Sequence, residues 1–130
     1  MDVNLQNNYT GGNKMLFIQF YCSKSGMIGI NTEFFIYSEN YLGDTNGNPI
    51  EDIRENWSKG YDFGHIFIET PHKRYIFRKV IDAFSWVCFI TEYIEKYKDD
   101  KNIFINLDEL WPYSEGEFRE FEPEFEVETI

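Results

Sequence analysis

The chain has 130 residues, 42% of them hydrophobic and 19% aromatic, and a net charge of -11. That is one domain's worth of chain with enough apolar material to offset its ordering entropy, so disorder over most of its length is excluded. Its longest apolar runs fall well short of the ~20 residues that cross a bilayer, and so acidic a surface disfavours direct contact with nucleic acid.

The first fourteen residues, MDVNLQNNYTGGNK, are polar and lack the basic start and apolar middle of a signal peptide, so they predict a flexible leader before a single domain over 15–130. Lys14 to Tyr21 is a strand-type apolar run, and Ser23 to Gly26 supplies a turn. Met27 to Tyr37 follows as a second strand or a bent pair, making a hairpin with the first. Asn40 to Asn48 is rich in Gly, Asn and Asp and predicts a loop. Asn48, Pro49 and Glu51 then form a capping-box pattern, with Ile50, Ile53 and Trp57 on one face and Gly60 as a stop, so the spacing predicts a helix over about 49–59.

An EF-hand reading of Gly43 to Glu55 fails on its register. Counted from Asp44 as the first ligand position, the sixth, which needs glycine for its sharp turn, holds Pro49. Phe63 to Glu69 and Lys73 to Val80 flank Thr70-Pro71-His72 and predict a hairpin. From Asp82 the period changes: Phe84, Val87, Cys88, Thr91, Ile94 and Tyr97 fall on one stripe of a helix over about 82–98. Asn102 to Leu107 returns to strand character. The chain ends EFEPEFEVETI, in which every even position from Glu120 to Glu128 is glutamate; as an edge strand this segment would dock Phe121, Phe125 and Val127 on the core and leave the carboxylates in water, with Pro123 tolerated only at an edge. The expected fold is α+β, a mainly antiparallel sheet with two helices and an acidic C-terminal edge strand.

Few residues suggest chemistry. Cys22 and Cys88 stand in no metal or redox spacing and suit reduced, buried thiols. His65 and His72 lack ligand-spaced companions for zinc, and a His72/Glu69 acid-base pair is weaker than the reading of two ordinary surface or half-buried histidines. No P-loop, GxGxxG or GxSxG motif occurs, so no catalytic residue, cofactor or metal is expected. Lys73, Arg74, Arg78 and Lys79 form the one basic cluster, best explained as neutralising nearby acids or the acidic C-terminal strand.

Charge is the informative quantity, because nine acids and one base lie between Asp108 and Ile130. That pole would steer a basic partner toward the C-terminal segment. The expected contact residues are Asp108, Glu109, Trp111, Tyr113, Glu115 and Glu117, continued by Glu120, Glu122, Glu124, Glu126 and Glu128. Aromatics rimmed by charge, as at Trp111 and Tyr113, suit either a binding hot spot or packing on the chain's own core.

In its size, acidity, polar start and lack of catalytic motifs, the chain resembles the small immunity proteins of bacterial toxin systems, including those of contact-dependent growth inhibition. The likeness is one of overall character and assigns no individual residue. It implies a cytoplasmic, non-enzymatic protein that neutralises one cognate toxin, a basic domain such as a nuclease. Two alternatives stand beside it: a phage-type nucleic-acid mimic that blocks a restriction or CRISPR effector, and a small carboxylate-dependent enzyme.

Overall fold

Strands carry most of this structure, a computed structural model that describes residues 3–4, 9–10, 17–44, 46–51, 60–99, 102–110 and 124–130. In chain order they are β1 (Val3–Asn4), β2 (Tyr9–Thr10), β3 (Phe17–Cys22), β4 (Gly26–Ile30), β5 (Phe35–Gly43), β6 (Tyr61–Glu69), β7 (Lys73–Ile81), β8 (Asn102–Asn106) and β9 (Glu124–Thr129). Among the described residues two helices interleave with them, α1 (Ala83–Lys96) and the short α2 (Leu107–Leu110). The α+β class and the mainly antiparallel pairing are those the sequence indicates.

The larger sheet runs β1-β5-β6-β7-β9, with β2 also on the outer side of β5. Its centre is the β6–β7 hairpin, closed at Thr70, whose N–H donates to the Lys73 carbonyl at 2.8 Å while its hydroxyl accepts from the Lys73 N–H at 3.1 Å. Pro71 and His72 are left at the tip, where a missing donor and an exposed imidazole are both tolerated. The smaller sheet runs β4-β3-β8; β3 and β4 form the expected hairpin, whereas β8 lies parallel to β3 with Ile18 opposite Ile103 and Phe20 opposite Ile105.

One core joins both sheets to α1. Ile18, Phe20, Ile28 and Ile30 of the small sheet, Ile36, Ile66, Ile68 and Phe77 of the large one, and Val87, Ile90 and Ile94 of the helix are all buried in it. Alternation along each strand puts these residues on one face. The side chains of Tyr41, Phe63 and Ile81, with Tyr61 packed against them, make a second, smaller cluster.

Five expectations change. Val3–Asn4 and Tyr9–Thr10, inside the expected leader, pair with β5, whose outer edge offers unsatisfied backbone donors and acceptors. Met27 to Tyr37 is the bent pair that the sequence allowed, and what changes is the loop after it, since β5 runs through its expected start to Gly43. Pro49 makes a bridge to Gly43 and the Ile50 N–H donates to the Leu42 carbonyl at 2.9 Å, so no helix begins at Pro49; residues 52–59 of that prediction lie outside the described residues. The α1 stripe is rotated: Ile90 is buried, while Phe84 is 38% exposed and Cys88 only partly buried. Val127 is 48% exposed, because β9 is the outermost strand and α1 packs across β5 and β6.

Candidate functional site

The acidic C-terminal strand meets the basic cluster face to face. β9 runs antiparallel to β7 with Arg74 opposite Glu128, Ile76 opposite Glu126 and Arg78 opposite Glu124. Arg74 reaches Glu128 at 3.0 Å, Arg78 addresses Oε1 of Glu126 through Nε at 2.5 Å and through Nη2, and Lys79 reaches Glu124 at 2.9 Å. Consecutive strand residues ordinarily point to opposite faces, yet Arg78 and Lys79 both reach glutamates. A β-bulge is the cause: from Gly64 to Ile66 the register with β7 slips by one residue, and Lys79 takes a φ of 59°. The extra residue also brings the Lys79 N–H to Nδ1 of His65 at 3.3 Å.

Further along the same face, the Arg74 guanidinium lies 5.8 Å from the centre of the Phe67 ring, which stacks on Tyr37 at 4.9 Å. The Tyr37 hydroxyl donates to Glu69 at 3.1 Å, and Arg74 stands 3.7 Å from the same oxygen. Burial raises the pKa of the Tyr37 phenol, with Glu69 adding to the rise and Arg74 opposing it. The Tyr37 hydroxyl, and then the carboxylates of Glu128 and Glu69, hold the Arg74 pKa above its ordinary value. Glu69 is therefore committed to these two partners.

At the start of α1 lies a different acidic site. Asn40 of β5, Asp62 of β6, and Asp82, Phe84 and Ser85 around the helix N-terminus line a cleft of about 210 Å³. Asp82 precedes the helix in a left-handed conformation, φ 52° and ψ 44°, and makes no side-chain capping bond, so its carboxylate stays out of the role that aspartate usually plays there. Partial burial, and then the negative charge of Asp62, raise its pKa above the ordinary carboxylate value. Neither aspartate forms an ion pair among the described residues. A second hollow, of about 260 Å³, is lined by Glu33, Phe35, Glu69, Thr70, Pro71 and Ile130.

The residues expected from the sequence do not gather in one place. Glu124, Glu126 and Glu128 lie on the β9 edge, each paired with a base of β7. Asp108 is a staple: its carboxylate accepts the Ser23 N–H at 2.9 Å and the Ser23 hydroxyl at 3.3 Å, tying α2 to the β3–β4 turn. Glu109 is exposed beside it. Trp111, Tyr113, Glu115, Glu117, Glu120 and Glu122 lie outside the described residues. The Asp62 and Asp82 pair was not expected, although the change of period at Asp82 marked the helix start that carries it.

Cys22 and Cys88 are not joined in a disulfide; Cys22 is buried and Cys88 partly so. Asp44, from the discarded calcium reading, uses Oδ1 to accept the N–H groups of Asn46 at 2.8 Å and Asn48 at 3.0 Å, shaping the loop after β5. Among the described residues no group of three or more metal-ligating side chains comes together, and no helix is long and apolar enough to cross a membrane. Compared with known proteins, the chain matches no family model, no curated protein and no solved structure.

Proposed function

We propose that this is an immunity-type inhibitor, a non-enzymatic protein that acts in the cytoplasm by binding and neutralising a basic toxin domain, such as a nuclease. One observation carries the reading: Asp62 and Asp82 share a cleft, next to the partly exposed Phe84, without a counter-ion on the described surface. Like charges held together raise the energy of the free protein, and a lysine or arginine from a partner relieves that cost on binding. The net charge of -11 supplies long-range attraction to the same kind of partner.

The reading moves the expected contact away from β9. Glutamates already matched by Arg74, Arg78 and Lys79 have less to gain from a foreign base, and they give correspondingly less support to mimicry of a phosphate row. The enzyme alternative has less support too, since the His65 imidazole lies on the opposite face of the sheet from Asp62 and Asp82.

The test is binding to the basic protein encoded immediately upstream. Asp62→Asn with Asp82→Asn should weaken the complex by about tenfold or more, an effect of ~1.4 kcal/mol, and added salt should erase the difference. An affinity unchanged by both substitutions would remove the site, and a neighbour that neither binds nor harms cells when expressed alone would remove the function.

A further inference from the structure

Alternation along the smaller sheet turns its buried side chains inward and leaves a second face outward, formed chiefly by Gln19 and Tyr21 of β3, Met27 and Gly29 of β4, and Phe104 and Asn106 of β8. Met27 is 52% exposed and Phe104 48%. No outward position of the three strands carries a charge, in a chain where 27% of residues do. The outer face of the larger sheet is the opposite case, with Arg74, Arg78 and the β9 glutamates across it. An uncharged sheet face with exposed apolar side chains suits contact with another protein surface.

Its shape says which surface. Gly29, Gln19 and Phe104 stand in one row across the sheet. The row is low at Gly29, where a Cβ would lie 3.2 Å from the tip of the Phe17 ring, and high at Phe104, whose ring projects into water. When two such faces pack about 10 Å apart around a two-fold axis running along β3, β8 of each copy falls over β4 of the other, so each Phe104 meets the floor of Phe17 and Gly29 opposite. The Gln19 and Asn106 amides carry both donors and acceptors and so can pair with the same groups of the other copy. Charge agrees with shape. A basic partner finds no carboxylate on this face, whereas two bodies of charge -11 can meet here without setting strand carboxylates against one another. The described charges flanking the face, Lys24, Asp108 and Glu109 beside the β3–β4 turn and Glu33, Lys98 and Asp99 at the other end, are mixed in sign with acids in excess.

We propose that the outer face of the smaller sheet is a self-association surface, on which two copies pair two-fold with Phe104 of each seated on Phe17 and Gly29 of the other. The three strands give a face of about 14 Å by about 17 Å, small beside the ~800 Å² that each partner contributes to a stable complex, so the dimer is weak and forms at concentrations on the order of hundreds of micromolar. The Asp62 and Asp82 cleft belongs to the larger sheet and α1 and lies outside the contact.

Sedimentation equilibrium of the intact protein tests the pairing. From about 10 µM to about 1 mM the mass should rise from monomer toward dimer, and the rise should be larger in ~0.5 M salt than in ~0.05 M, because screening weakens the repulsion between like-charged copies. A complex with a basic partner responds to salt in the opposite sense. Phe104→Asp should raise the dissociation constant by about tenfold or more with the circular dichroism spectrum unchanged, and Met27→Asp, on a different strand, should do the same. Amide NMR shifts that grow with concentration should map to β3, β4 and β8. A monomer at every concentration and both salts would overturn the inference. So would association that salt weakens, that both substitutions leave intact, or that shifts the amides of β9 or α1 in place of those of the smaller sheet.

Discussion

The backbone N–H of Asp82 donates to the carbonyl of Asp62 at 2.9 Å, tying the residue that precedes α1 to the start of β6. That bond extends the β6–β7 ladder by one step beyond Ile81 and holds both carboxylates at one cleft. The sheet therefore enforces a repulsion that the side chains, left free, would avoid.

Asp82→Asn should stabilise the protein at neutral pH. A carboxyl whose folded pKa lies above its unfolded value holds its proton more tightly in the folded state, so stability is lost as pH rises from the ordinary aspartate range through the raised value. Asparagine keeps the shape and tolerates the left-handed backbone. The variant's advantage in urea midpoint should be full near pH ~7 and vanish below pH ~3, where aspartate is protonated in both states. A constant advantage across that range would assign the effect to something other than ionisation.

The β7–β9 ion pairs should count for little individually. Arg78 and Glu126 are each about a third to a half exposed, so a double-mutant cycle with Arg78→Gln and Glu126→Gln is expected to give a coupling of about 0.2–1 kcal/mol. In ~1 M salt, where the screening length falls to ~3 Å, that coupling should largely disappear.

Gly64→Ala should be costly despite its small size. A Cβ there would lie 2.6 Å from the Glu39 carbonyl oxygen and 2.7 Å from the Cβ of Ala83, and neither atom belongs to a flexible side-chain end. Overpacking of this kind costs about 1–3 kcal/mol, measurable as a lowered denaturant midpoint with an unchanged slope.

Along α1, Ile90→Ala should destabilise by about 2–5 kcal/mol because Ile90 is buried in the shared core. Phe84→Ala should change stability by less than about 1 kcal/mol while weakening partner binding at the cleft it lines. Equal losses from the two would return Phe84 to the core stripe on which the sequence placed it.

Local pattern made the β6–β7 hairpin legible, since turn residues and flanking strands are neighbours in the chain. The charge match between β7 and β9 was legible too, because Arg74 and Arg78 alternate at the same spacing as Glu128 and Glu124. The parallel pairing of Phe17 with Asn102 was not, because no local signal says which distant strand will close a sheet. Phe84 was misplaced for a related reason: one turn into a helix, a 3.6-residue period fits two neighbouring stripes, and only the position of Gly64 beneath Ala83 decides between them. The aspartate cleft depends on the bulge-shifted register of two strands and a helix start, a three-body arrangement that spacing alone does not encode.

The parallel pair also sets the order in which the molecule is completed. β3 emerges early during synthesis but waits for β8, with β4 to β7 and α1 all made in between, and closing so long a loop is entropically slow. Until then the inner faces of β3 and β4 lack the Ile103 and Ile105 side chains that finish the core. A nascent chain halted before Asn102 would keep that apolar surface in water, leaving partly made copies dependent on chaperones and open to proteolysis.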